Sequence, residues 1–183
     1  VICGADSILG VRVTDGGLLW RYPFFNKHKA TCADPIVAGD EVFASCAYGR
    51  GCAKIRISCD QATPVFDNTV MRNLQSCSVL WRGYLYGFDE SKLKCIEFKD
   101  SRECWSAKGM GAGSVSMSAD GRMLVSSDKG ELVVARANPK AFDVITRAQV
   151  LPRSVCRTVP VLSNGRVYLR NGNGDLVCLD ARR

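Results

Sequence analysis

Apolar and polar positions follow the same order in two segments that lie far apart in the chain. Residues 8–20 (ILGVRVTDGGLLW) and residues 93–105 (LKCIEFKDSRECW) each read as a short apolar strand, a polar turn and a second strand that ends in tryptophan. Shorter copies begin at Leu132 and Leu176. Because short apolar runs bounded by turn residues are typical of strands, the copies indicate a repeated unit built from β-strands.

Tight turns recur in step with this repeat. The strands VFASC, LYGFD, MLVSS and VYLRN each follow a turn dipeptide, at Gly39-Asp40, Arg82-Gly83, Asp120-Gly121 and Asn164-Gly165. Measured at Asp40, Gly83, Gly121 and Gly165, the turns are 43, 38 and 44 residues apart. Asp-Gly and Asn-Gly favour type I′ hairpins, because these residues tolerate positive φ. About four short strands in a period of roughly 40 to 50 residues predict an all-β fold, a β-propeller of four-stranded antiparallel blades.

The repeat divides the chain into about four blade equivalents within one domain. Residues 30–68, 74–106 and 112–146 are expected to form full blades. Residues 1–25 are expected to supply the last two strands of one blade, and residues 157–183 three strands of another. Because an open arc exposes strand edges, we expect the chain to be a piece of a larger propeller, whose remainder is a partner. Alternatively, residues 1–25 complete the last blade and close a small four-bladed ring.

Charge and hydropathy narrow the classes of partner. The chain has 25 Lys and Arg against 18 Asp and Glu, a net charge of +7, but the basic residues are scattered. The densest set is Arg21, Lys27, Lys29, Arg50, Lys54 and Arg56. A solvated basic surface explains this set better than a nucleic-acid groove, which couples charge to stacking aromatics. No apolar stretch is long enough to cross a bilayer, so membrane association is expected only through an upstream segment outside this sequence.

The ten cysteines do not form a metal or catalytic signature. Cys95 and Cys178 stand third in their repeat copies, where other copies have Gly or Val, so we expect them to pack as small apolar side chains. Cys46 and Cys52 flank AYGRG and could bridge a loop. No CxxC is present and His28 is the only histidine, so the sequence predicts neither a zinc site nor a Cys-His nucleophile.

Other chemical motifs are also missing from the sequence. There is no GxSxG elbow, Walker loop or dinucleotide fingerprint, and the Gly-rich run 109–113 is expected to be a blade connector. A sugar-binding rim built on Trp20, Trp81 or Trp105 is a weaker possibility. Trp20 and Trp105 close their repeat copies, so we expect them to fill gaps between blades instead.

The repeated unit resembles the LxxLDxxxGxxxW repeat of pyrroloquinoline-quinone-like (PQQ-like) β-propellers. The resemblance is carried by the two copies quoted above and by NGRVYLRNGNGDLVCLDAR, and it extends to ADPIVAGDEVF, SVLWRGYLYGFDE and VPVLSNGRVYL. These stretches are similar to the bacterial quinoprotein-like, BamB-like propellers, some of which are labelled polyvinyl-alcohol dehydrogenase-like. Arg12, Glu97 and Arg136 replace the strand-end Asp of the repeat, which Asp180 retains.

The resemblance implies two possible functions. The non-catalytic branch of the family holds proteins or peptides at its rims and blade edges, in the periplasm or cell envelope. The other branch oxidises alcohols with PQQ and a Ca²⁺ held by carboxylates and an amide. The chain has no Cys-Cys dipeptide and no assignable set of metal ligands. We therefore expect a scaffold without a cofactor, outside the cytoplasm, with a protein or peptide partner; the PQQ-dependent dehydrogenase is the alternative.

Candidate binding residues lie in the two most distinctive loops, AYGRG and NTVMRN. Tyr48 with Arg50, and Arg72 with Asn73, offer hydrogen-bond donors and a stacking surface. Loops on a rigid scaffold are where binding residues usually lie. The alternative is that the glycines of the first loop shape a turn and that both arginines are merely solvated. No residue is predicted to be catalytic or to bind a metal.

Overall fold

The computed structural model describes residues 1–182, and the regular structure among them consists of strands. Eighteen strands form five antiparallel sheets in chain order. The strands are β1 (Ile2–Cys3), β2 (Ser7–Val11) and β3 (Leu18–Pro23) in the first sheet; β4 (Ile36–Ala38), β5 (Glu41–Cys46), β6 (Gly51–Ser58) and β7 (Gln61–Asn68) in the second; β8 (Val79–Trp81), β9 (Tyr84–Asp89), β10 (Lys92–Glu97) and β11 (Glu103–Ala107) in the third; β12 (Ser114–Met117), β13 (Arg122–Ser126), β14 (Glu131–Arg136) and β15 (Asp143–Gln149) in the fourth; and β16 (Val161–Ser163), β17 (Arg166–Arg170) and β18 (Leu176–Asp180) in the fifth. The predicted all-β class with four-stranded antiparallel blades is confirmed.

The first sheet has three strands and not the two expected. Ile2 pairs with Leu9 and Cys3 with Ile8, which adds β1 to the hairpin of β2 and β3. The alternative of a closed four-bladed ring is wrong for the described residues, because the first and fifth sheets share no hydrogen-bonded strand pair. Residue 183, the end of the last predicted blade, lies outside the described residues.

The predicted hairpin turns differ in their backbone conformations. Arg82 and Gly83 both have positive φ, 47° and 84°, as do Asn164 and Gly165, which suits type I′ turns. Between β12 and β13 only Gly121 has positive φ, and its N–H donates to the Ser118 carbonyl at 3.0 Å. The Asp-Gly dipeptide therefore ends a longer turn there.

The hydrophobic core lies in the four gaps between successive sheets. Each gap holds one cluster of buried side chains, for example Ile8 against Val42 in the first gap and Phe43 against Leu85 in the second. In the third gap, buried side chains of the third sheet pack against those of the fourth sheet. The fourth gap is lined by leucines, valines and Cys156. Sheets stacked face to face through apolar side chains are the blade packing of a propeller.

One backbone hydrogen bond recurs in the second to fifth sheets. An amide at the end of the third strand, or directly after it, donates to the carbonyl of the first hairpin turn: Ile57 to Asp40, Phe98 to Gly83, Ala137 to Gly121 and Ala181 to Gly165, all at 2.8–2.9 Å. The fifth sheet therefore has the same geometry up to its third strand as the sheets with four strands.

Candidate protein-interaction site

The loops that join successive sheets meet the central hairpin turns on one side of the arc, which we call the connector face. Glu90 donates its N–H to the Arg72 carbonyl at 2.9 Å, and Asp128 does the same to Met110 at 2.9 Å. Gly51 lies so close to the next connector that an added Cβ would be 2.1 Å from the Asn68 carbonyl oxygen. Both predicted loops, AYGRG and NTVMRN, therefore lie on the connector face.

Tyr48 is the most available of the predicted binding residues. Its side chain is 49% exposed and its φ is +60°, a left-handed conformation that is uncommon outside glycine. The exposed ring of His28 packs edge-on against it, with 4.7 Å between the ring centroids. Together they present an aromatic pair at the surface.

Arg50 is held by neighbouring side chains. It makes a two-pronged ion pair with Asp67, with distances of 2.6 and 2.7 Å, and its guanidinium lies 4.2 Å from the ring centroid of buried Phe24. Tyr22 donates its hydroxyl to the same carboxylate at 3.1 Å. Burial favours a raised pKa for Asp67, but the Arg50 hydrogen bonds hold the pKa below its ordinary value. Arg50 thus fixes the loop against β7, a role that its sequence context did not indicate.

Arg72 is part of an ionic cluster around Asp89. The Asp89 side chain is almost fully buried. It accepts hydrogen bonds from Arg72 at 2.7 and 3.0 Å and forms an ion pair with Lys94 at 2.9 Å. Lys94 also contacts Glu103 at 2.9 Å. Desolvation alone would raise the pKa of Asp89, but the two cations lower it. The cluster ties the connector before the third sheet to three strands of that sheet.

Asn73 is buried, with 1% of its surface exposed. Its side-chain amide donates to the Phe88 carbonyl at 3.0 Å, its side-chain oxygen accepts from Ser78 at 3.0 Å, and its backbone N–H donates to Ser45 at 2.9 Å. Its side chain is thus engaged inside the protein with the third sheet and the connector before it, and its backbone N–H adds the link to the second sheet.

The cysteines are all unpaired in residues 1–182, so the possible Cys46–Cys52 bridge is not formed. Both lie buried, and burial raises the pKa of Cys52 to about 11. Cys95 is buried as expected, with its pKa raised to about 12 by desolvation. The expectation is wrong for Cys178, which is exposed because it lies on the face of the fifth sheet opposite Val177 and Leu179, where no further sheet packs within residues 1–182.

The outer side of β18 is an open strand edge in the described residues. β18 pairs with β17 alone, from Arg170↔Leu176 to Arg166↔Asp180. Exposed and half-buried side chains alternate along it, and Leu176 is 68% exposed. In the three middle sheets a fourth strand occupies this position.

Two further observations on residues 1–182 concern metal binding and membrane-spanning helices. No three His, Cys, Asp or Glu side chains come close enough together there to hold a metal ion. In the same residues no helix is long and apolar enough to cross a bilayer.

The fold is that of a β-propeller, and solved propeller structures are similar to it. BamB from Moraxella catarrhalis superposes with a TM-score of 0.62 at 12% identity, over 97% of this chain and 65% of the BamB chain. The computationally designed propellers Ika8 and Ika4 give TM-scores of 0.69 and 0.61 at 11% and 12% identity. Ika8 is matched over 97% of this chain and 53% of its own, and Ika4 over 84% and 92%.

These likenesses concern the fold alone, because every identity is below 25%. This chain spans less than two thirds of the BamB chain and about half of Ika8. No protein-family model matches the chain, and no curated protein sequence matches it.

Proposed function

We propose that the chain is a non-catalytic propeller scaffold that binds an extended segment of a protein partner along β18. The observation that carries the proposal is that β18 pairs with β17 alone within residues 1–182, although its sheet otherwise repeats the geometry of the four-stranded sheets. Extended peptides commonly bind by adding a strand to such an edge, where backbone hydrogen bonds supply affinity.

The side chains beside this edge indicate the chemistry of the partner. Leu176 and Cys178 project from β18 as exposed side chains, and exposed Arg170 lies opposite Leu176 on β17. A partner strand with apolar residues at alternate positions and an acidic residue near Arg170 would complement this edge. The chain's net charge of +7 also favours acidic partners at long range.

Tyr48 is proposed as a second contact on the connector face. It is exposed beside His28, whereas Arg50, Arg72 and Asn73 are engaged with neighbouring residues. We assign those three residues to holding the loops in place, so that Tyr48 is presented on a rigid support.

The absence of a cofactor is part of the proposal. A Ca²⁺ with PQQ needs carboxylates that are free to bind the ion, whereas Asp67 and Asp89 are each neutralised by arginine. Residues 1–182 bring no three candidate ligand side chains together. These engaged carboxylates support a scaffold without the Ca²⁺ and quinone that the resemblance implies for the dehydrogenase branch.

A location outside the cytoplasm is proposed on the strength of the repeat resemblance. Unpaired cysteines are more usual in reducing compartments, and all ten are unpaired in the structure. If the chain lies outside the cytoplasm and its cysteines are unpaired as in the structure, it can be recovered from the cell envelope. Thiol titration after denaturation should then find ten reactive thiols.

Selection from a displayed library of random peptides tests the scaffold function. We expect selected peptides to be extended and to protect β18 amides from hydrogen exchange. Leu176→Lys should weaken their binding by about tenfold or more, since it places a charge against the apolar contact. Val13→Lys is the matched control, because Val13 is 99% exposed in a turn of the first sheet.

Two results would contradict the proposal. The first is peptide binding that Leu176→Lys and Val13→Lys affect equally. The second is dye reduction by alcohols after addition of PQQ and Ca²⁺, which would establish the dehydrogenase instead.

A further inference from the structure

The fourth sheet lacks an aromatic side chain that the first three sheets share. The residue on the outermost strand (β3, β7, β11 or β15) that pairs with the middle of the neighbouring strand is Trp20, Phe66 and Trp105 in the first three sheets and Thr146 in the fourth. A one-residue bulge precedes this residue in all four sheets, so the positions are structurally equivalent.

Each of the three aromatic rings fills the gap to the next sheet. Trp20 packs in the cluster of Val42 and Ile55, and Phe66 packs against the cluster that contains Leu85. Trp105 donates its indole N–H to the Asn138 carbonyl at 2.7 Å. Its ring centroid lies 5.5 Å from that of Phe142, in the loop that joins β14 to β15. The outer part of a gap between sheets is therefore normally occupied by an aromatic ring from the preceding sheet.

The gap after the fourth sheet contains an open apolar cavity. Its volume is about 520 Å³, and its walls include Leu132 and Val134 of the fourth sheet and Val167 and Leu179 of the fifth. Ser118 and Arg122 are among the polar residues that border it. Thr146 is exposed, and its side chain is too small to take the place of an indole.

We propose that this cavity binds a small planar aromatic molecule of one or two fused rings, with any polar group directed to Ser118 and Arg122 at the rim. The volume lies in the range of small-molecule pockets, roughly 300–1,000 Å³. Apolar cavities lined by aliphatic side chains take up aromatic guests, because water gains too few hydrogen bonds inside them. The rings of the other three gaps show that a flat aromatic group suits the space between these sheets.

Indole is the probe, because it is the group that two of the other gaps contain. Titrating the chain with indole should shift the methyl NMR signals of Leu132, Val134, Val167 and Leu179. We expect a dissociation constant of about 1 mM or below for a ligand of this size. The methyls of Val115, in the filled gap between the third and fourth sheets, should not shift.

Thr146→Trp should place an indole in the cavity and weaken binding at least tenfold, whereas the matched control Thr146→Val should leave binding unchanged. Circular dichroism checks that both variants fold. If Thr146→Trp does not fold, Val134→Phe fills the same space from the opposite strand and should have the same effect. Methyl shifts that are absent at indole concentrations of about 10 mM, or that persist in the filled variants, would overturn the proposal.

Discussion

At the scale of single residues, the buried carboxylate of Asp89 is the point where loop, turn and strand are joined. It is 2% exposed, and two cations satisfy it, Arg72 from the connector and Lys94 from β10. Removing one member of a buried charge cluster is far more destabilising than removing an exposed pair, because the remaining charges lose their compensation. The Asp89 cluster is therefore expected to contribute more to stability than the exposed ion pairs.

Asp89→Asn should lower the free energy of unfolding by about 3 kcal/mol, measured by urea denaturation at neutral pH. Asp180→Asn is the control, since Asp180 is exposed and, within the described residues, forms its ion pair with nearby Arg182. We expect that control to change stability little. Equal effects of the two substitutions would show that Asp89 has no special role.

The same carboxylate predicts a pH dependence. The folded-state pKa of Asp89 is depressed, so its stabilisation is present above its unfolded pKa of about 3.9 and is lost as the pH falls through the folded-state pKa. Asp89→Asn should therefore remove part of the acid-side loss of stability, in the same denaturation experiments repeated across acidic pH. A profile as steep as that of the unaltered chain would assign the loss to other carboxylates such as Asp67, whose pKa is also lowered.

At the scale of elements, the outermost strands of the first three sheets add aromatic rings to the packing between sheets. In the first four sheets the outermost strand contains a bulge immediately before the residue at this position, and a bulge redirects side chains and increases local twist. At Gly10 the approach is so close that an added Cβ would lie 2.2 Å from the Trp20 ring. The small third residue and the closing tryptophan of a repeat copy therefore contact each other across two paired strands.

Trp105→Ala should destabilise the chain by about 3 kcal/mol, because it empties the gap between the third and fourth sheets. Thermal unfolding measured beside Trp105→Phe checks this expectation. The phenylalanine keeps a ring in the gap and loses only the hydrogen bond to Asn138, so it should retain most of the stability. Equal losses in the two variants would mean that the hydrogen bond, and not the ring, stabilises the contact.

The elements were more predictable from sequence than the roles of the loop residues. Turn dipeptides and apolar runs are local signals, which is why VFASC and LYGFD were recognisable as strands. Arg50 and Arg72 find their carboxylates 17 residues away in the chain, across a strand pairing that local patterns do not reveal. The burial of Asn73 likewise depends on Ser45 and Phe88 from two different sheets. Thr146 stands at a position that the repeat defines, but its consequence is visible only as a space between sheets.

At the scale of the whole molecule, the arc has a well-covered middle and two less protected ends. β9 and β10 are mostly buried in the third sheet, with a sheet on either side, whereas β18 has exposed or half-buried residues throughout. Local opening is easiest where few buried contacts hold a strand. Stability is therefore expected to fall from the third and fourth sheets towards the ends.

Native-state hydrogen exchange should show this gradient directly. Amides that pair β9 with β10 should exchange the most slowly, and those that pair β17 with β18 should exchange at least tenfold faster, because less buried surface must be exposed to release them. Uniform protection across the five sheets would indicate one cooperative unit and would contradict the expectation.

The chain order of the strands within each sheet has a consequence for how the protein comes to fold. Each sheet is completed by residues that follow one another directly, and the recurring bond from the third strand to the first hairpin turn closes within the same sheet. Pairing neighbouring strands within one sheet closes only short loops and therefore costs little loop-closure entropy. During synthesis the sheets would therefore be completed one after another in chain order. Each new sheet could then pack against the sheet that had formed before it.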